Sequence, residues 1–218
     1  MEPLLSTSKS VPPRRTTRRG WWLALAGLVI WISADLFVPR HHDLRQFDPN
    51  ELAQVETAMW RSYYEKKPVL LFWQLAGGLR QQFHAPFWRS FKIGFQATKA
   101  AFVFKKGRSR ADYEQALPDL IAYYESIQDL STGPFDVVKV SKLELEWWIV
   151  HRQRDRYSYA DLAEVLAQTA ATQYDQPAAQ FKTYGFLRAD AMRLRDESSQ
   201  KTGGTTEADI STGLAITA

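Results

Sequence analysis

Four ionisable side chains in this sequence are placed to do chemistry: Glu56, Glu144, His151 and Arg188. Stepping 100° per residue along each helical segment turns all four toward apolar arcs. Glu144 and His151 lie seven residues apart, two turns on one face, among Val137, Val140, Leu143, Trp147 and Val150, with Trp148 at the border. Glu56 falls inside an arc of Leu52, Val55, Met59, Trp60 and Tyr63. Arg188 and Arg195 share a face with Phe181, Tyr184, Gly185 and Met192, although Phe186, Leu187 and Leu194 form a second apolar strip on that segment. An inward carboxylate beside an inward imidazole is the raw material of acid–base catalysis, and an inward guanidinium can hold an anion. The same residues also suit a purely structural ion network, with Glu144 or Glu56 bonded to Arg188 and His151 as a hydrogen-bonding neighbour.

Metal chemistry finds less support. A dinuclear carboxylate site in a helical bundle wants a Glu-x-x-His on each of two helices, and the chain has none. Glu146 and His151 are five apart and cannot chelate from one face. The chain has no cysteine, which removes disulfides, thiolate nucleophiles and thiolate metal sites. His41-His42 forms a solvated pair. Gly-x-Ser-x-Gly, phosphate-loop, dinucleotide and His-Glu-x-x-His motifs are all missing, and Gly77-Gly78 marks a close-packing point within an apolar helix. The expectation is no metal and no cofactor.

These residues need helices to carry them. Asp48-Pro49-Asn50-Glu51 is a cap followed by a proline at the first helical position. Pro68 and Pro86 open two more segments, the second running to Lys106 before Gly107. Ser109 with Asp112 caps a fourth, which Pro118 must kink or divide. Gly133-Pro134 precedes a fifth over 135–153, Ser158 with Asp161 caps a sixth, and Pro177 opens the seventh. No period-two alternation lasts long enough to make a strand. Residues 47–197 therefore read as a compact all-α bundle of about seven helices.

Ahead of the bundle, residues 20–38 (GWWLALAGLVIWISADLFV) hold one charge, Asp35, placed near one end. A helix of that length just spans a bilayer's apolar layer, and Trp21, Trp22 and Trp31 suit its aromatic belts. The net charge of +4 is a property of the tail before it. Residues 1–19 carry Lys9, Arg14, Arg15, Arg18 and Arg19 against Glu2, and the other 199 sum to zero. That asymmetry predicts a cytoplasmic N-terminus, a linker over 39–46 and an extracytoplasmic domain. A cleaved signal peptide is the rival reading, with Arg18-Arg19 as a faint twin-arginine element; Ile32 stands where a cleavage site wants a small residue. The tails, 1–19 and 198–218, read as disordered.

The neutral domain is internally polarised. Lys66 to Ala111 holds ten Lys or Arg and no acid; Asp112 to His151 holds eight acids and two lysines. Within the basic half, Arg89, Lys92, Gln96 and Lys99 form a stripe expected to lie opposite Phe87, Phe91 and Phe95. That pattern suits a solvated face or one resting on anionic lipid. Nucleic acid is not expected. The function expected is a non-enzymatic interaction or scaffold module held at a membrane, whose partners are the lipid bilayer and another membrane or extracytoplasmic protein. The alternative is a small-ligand binder or acid–base enzyme using the Glu56, Glu144, His151 and Arg188 pocket.

Overall fold

A computed structural model describes residues 17–202 and shows an all-α chain, with no β-strand among the described residues. The expected terminal tails fall outside those residues, except that helix already begins at Thr17 and continues to Thr202. The chain divides into two units, one ending at Val38 and one beginning at Pro39.

The first unit holds α1, Thr17–Phe37. Its stretch Arg19–Phe37 has a mean hydropathy of 1.6 and is only 6% buried within the protein. The helix is long and apolar enough to cross a membrane. Trp21 and Trp22 are among its most exposed side chains, and Trp31 is about half exposed.

The second unit starts without a free linker. His42 donates its N–H to the Leu130 carbonyl at 2.7 Å and accepts from the Thr132 N–H at 2.9 Å, while Leu44 is buried in the core. The stretch 39–46 is thus docked on the domain that it was expected only to connect. Helix α2 (Pro49–Tyr64) begins where Asp48 accepts from the Asn50 and Glu51 amides. Helix α3 (Pro68–Phe83) starts on its proline and ends at His84, whose left-handed φ of 50° turns the chain. Helix α4 (Phe87–Lys106) follows. Pro118 divides the next segment into α5 (Arg110–Glu114), with a Ser109/Asp112 capping box, and α6 (Leu117–Gln128). Helix α7 (Val137–Arg152) is capped by Asp136, and α8 (Tyr159–Gln173) by a Ser158/Asp161 box. Pro177 opens a 3-10 turn, Ala178–Phe181, before α9 (Lys182–Thr202).

Most helices pack mainly on a sequence neighbour, α4 and α6 pack on each other past the short α5, and the core divides into linked clusters. Leu79, Phe83, Ile93, Tyr124, Ile127 and Val140 form one, and Tyr113, Leu120, Leu145 and Ile149 a second. Val150, Leu162, Leu166, Ala189 and Met192 form a third between α7, α8 and α9. Helices α8 and α9 approach so closely at Gly185 that a Cβ there would collide with the Ala163 carbonyl oxygen. That single contact explains a glycine in a helix interior, where it otherwise costs stability.

Helix α4 corrects the expected basic stripe. Arg89 is 6% exposed and sits with Ser90, Ile93, Gly94 and Ala100 on the buried side, while Phe95 is 63% exposed. The aromatic arc is not the packing arc because α4 meets two helices. It packs on α3 through Phe91 and Gly94, and on α6, where its Lys99 reaches Asp119 at 2.7 Å. Small residues line the closest approach, and the helix is rotated away from the phase that hydrophobicity alone implies.

Candidate functional site

The inward residues of α2, α7 and α9 meet in one region of the second unit. From α9, the Arg188 guanidinium lies 3.3 Å from the Glu56 carboxylate of α2 and donates to the Tyr184 hydroxyl at 2.8 Å, one turn away on its own helix. The Arg188 and Glu56 side chains are 24% and 30% exposed, so solvent reaches the pair. The Glu56 charge foremost, then the Tyr184 side chain, holds the Arg188 guanidinium far more firmly protonated than usual, against the opposing effect of burial.

Glu144, on α7, has different partners. The Tyr124 hydroxyl of α6 donates to one of its oxygens at 2.9 Å, and the Trp148 indole N–H, one turn along α7, donates to the other at 3.0 Å. Both donors are neutral. Burial, and then the Glu144 charge, raise Tyr124 well above the ordinary tyrosine value. Tyr123 is raised in the same way, with Arg188 opposing and Glu56 reinforcing the effect. Both acids and the arginine therefore act on Tyr123. Tyr174 borders the region: it accepts from the Gln82 amide at 2.7 Å and stacks between Phe47 and Phe181, with ring centroids 6.0 and 5.9 Å away.

His151 does not join Glu144. Its Nε2 lies 3.5 Å from the Asp196 carboxylate and 3.3 Å from the Arg195 guanidinium. Arg195 in turn pairs with Asp196 and lies over the Trp60 ring, 5.6 Å from its centroid. Burial pushes the Asp196 carboxyl up, but the His151 and Arg195 hydrogen bonds and charges outweigh it and hold the group below the usual carboxylate value. The sequence places Glu144 and His151 two turns apart on α7, and the fold gives them separate partners: Tyr124 of α6 for one, Asp196 and Arg195 of α9 for the other.

The structure thus brings Glu56, Arg188 and Glu144 into one electrostatic neighbourhood and sets His151 in a second. Sequence reasoning did not single out Tyr124, Tyr174 or Asp196. A tyrosine or an acid on an inward arc opposite Glu144 or Arg195 was the available signal. Of the basic residues assigned to a surface, Lys92 and Lys99 are exposed and Arg89 is buried. No group of three or more metal-ligating side chains exists among the described residues. The rings of His42 and His84 stand 5.1 Å apart, and His84 Nε2 is 2.6 Å from the Gln46 carbonyl oxygen. No family model, curated protein or solved structure matches the chain.

Proposed function

We propose that the chain is a single-pass membrane protein whose helical domain is a non-enzymatic interaction or scaffold module on the extracytoplasmic side. The state of the inward ionisable groups supports the interaction reading. Glu56 is engaged by Arg188, Glu144 by Tyr124 and Trp148, and His151 by Asp196 and Arg195. An acid–base pair would need Glu144 and His151 turned toward a shared substrate, and each is instead spent on its own protein partners. The basic tail ahead of α1 supports the orientation. Alkaline phosphatase and fluorescent-protein fusions to the C-terminus test it. Active phosphatase with a dark fluorophore is expected; bright fluorescence with an inactive phosphatase overturns the orientation. Cross-linking of the detergent-extracted chain should capture a protein neighbour, and recovery of the chain alone would weigh against a scaffold.

One observation favours the second reading, a small-ligand site. The Glu56–Arg188–Tyr184 group is open to solvent, with Tyr184 itself 41% exposed. A thermal-shift screen against small organic ions separates the readings: a stabilising compound whose effect disappears in Glu56→Gln supports a ligand site.

A further inference from the structure

Five side chains of α4 repeat at intervals of three and four residues: Lys92, Phe95, Lys99, Phe102 and Lys106. That spacing keeps them on one face of the helix. All five are exposed, Phe95 at 63% and Phe102 at 57%. Bases and aromatic rings alternate along the face, so no charged half is segregated from an apolar half. The neighbouring helix α3 extends the surface. Val69 is 83% exposed and Trp73 54%, beside a shallow apolar hollow that Lys67, Pro68 and Leu70 also line. Trp73 joins the two helices, its ring 5.0 Å from that of Phe91. Single exposed aromatics are ordinary, but a periodic set framed by lysines on two adjacent helices marks a surface that something covers.

We infer that this α3–α4 face is a docking surface for an anionic lipid bilayer, with Phe95, Phe102 and Trp73 entering the headgroup boundary and Lys92, Lys99 and Lys106 meeting the phosphates. The inference rests on the reading of α1 as a bilayer anchor. Charge complementarity selects the occupant: Lys92, Lys99 and Lys106 on the face and Lys67 at the hollow are bases, and the stretch Lys66 to Ala111 holds no acid. The long lysine stems can carry their ammonium groups back to the phosphates while neighbouring phenylalanine rings sit a few ångströms deeper, so the interleaved pattern suits a bilayer surface. Lys99 shares its charge with Asp119 at 2.7 Å, which leaves Lys92 and Lys106 as the stronger contributors.

The chain lacks cysteine, so Phe95→Cys, Phe102→Cys and, as a reference on the exposed start of α7, Val138→Cys each accept one nitroxide label. The full chain is reconstituted in vesicles of phosphatidylcholine alone or mixed with phosphatidylglycerol. Collisions of the label with oxygen, which concentrates in lipid, are compared with those of a water-soluble nickel chelate. The ratio at 95 and 102 should rise at least about threefold when phosphatidylglycerol is present, and Lys92→Gln with Lys106→Gln should abolish the rise, each lysine contributing roughly fivefold to partitioning. The ratio at 138 should not respond. Labels at 95 and 102 that behave like the one at 138 overturn the proposal. So does protection from both reagents, because a second copy or another protein then covers the face. Extraction with alkaline carbonate tests the anchor independently: release of the chain defeats the reading of α1, whereas a retained chain with water-exposed labels defeats only the docking surface.

Discussion

Glu56 and Glu144 reach the interior from comparable inward positions on α2 and α7, and the fold answers them in opposite ways. Glu56 faces a full positive charge, the Arg188 guanidinium at 3.3 Å. Glu144 faces two dipoles, the Tyr124 hydroxyl at 2.9 Å and the Trp148 indole at 3.0 Å. A charge pair shields both members from the cost of burial, and each depends on the other. Neutral donors satisfy a carboxylate's lone pairs but leave its charge to act on its surroundings, and that charge, after burial itself, helps to hold Tyr123 and Tyr124 protonated. One acid is answered by an opposite charge; the other is satisfied by dipoles alone.

The largest expected effect breaks the closed pair. Arg188→Leu strands the Glu56 carboxylate and removes a donor from Tyr184, and should cost about 2–3 kcal/mol by urea denaturation, below the roughly 3–5 kcal/mol of a fully buried pair because solvent reaches this one. Glu56→Gln added to Arg188→Leu should recover part of that loss, since no charge is then left alone. If the double variant is as unstable as the sum of the singles, the two residues are not a pair in energetic terms. Glu144→Gln should cost only about 1 kcal/mol, because an amide oxygen still accepts from Tyr124 or Trp148. A loss as large as that of Arg188→Leu would erase the asymmetry between the two acids.

That asymmetry was half legible in the sequence. Periodicity turned Glu56, Glu144, His151 and Arg188 toward apolar arcs, and the helix starts at Asp48, Ser109 and Ser158 followed from capping chemistry, because both signals are local. Which partner each inward group takes depends on the register between helices, and periodicity says nothing about that. Arg188 could have met either acid. Tyr124 and Asp196 were invisible as partners because a hydroxyl or a carboxylate on an inward arc looks the same whether or not a neighbour reaches it. Arg89 shows the other limit. A helix clamped by two neighbours buries the arc where small residues permit close approach, and on α4 that arc runs through Ser90, Gly94 and Ala100 and leaves Phe95 and Phe102 exposed.

The next effect is smaller and has opposite signs at the two sites. Burial raises the folded-state values of Tyr123, Tyr124 and Tyr174 above that of the unfolded chain. The stability linked to them is complete below the unfolded tyrosine value of about 10 and is lost as pH rises beyond it, because the unfolded state gives up its protons first. Glu144→Gln removes a charge that reinforces this shift, so it should reduce the stability lost between about pH 9 and about pH 11. Arg188→Leu removes a charge that opposes the shift at Tyr123 and Tyr174 and should increase that loss. Urea denaturation at the two pH values reads the sign directly, and changes in the same direction would mean that Glu144 and Arg188 do not act oppositely on the buried tyrosines.

The smallest effect comes from the mixed case, Asp196, which has both kinds of partner: the Arg195 charge and the His151 ring. Its carboxyl is held below the unfolded value, so the stability it contributes is present above about pH 4 and is lost as pH falls through the folded value. Asp196→Asn should remove that acid-side dependence and cost under about 1 kcal/mol at neutral pH, because the network is partly solvated. Arg195→Leu and His151→Gln, each combined with Asp196→Asn, separate the two partners: the larger coupling energy by urea denaturation identifies the one that holds the carboxylate. Equal couplings would show that the charge and the ring are interchangeable here, in contrast to the division between Glu56 and Glu144.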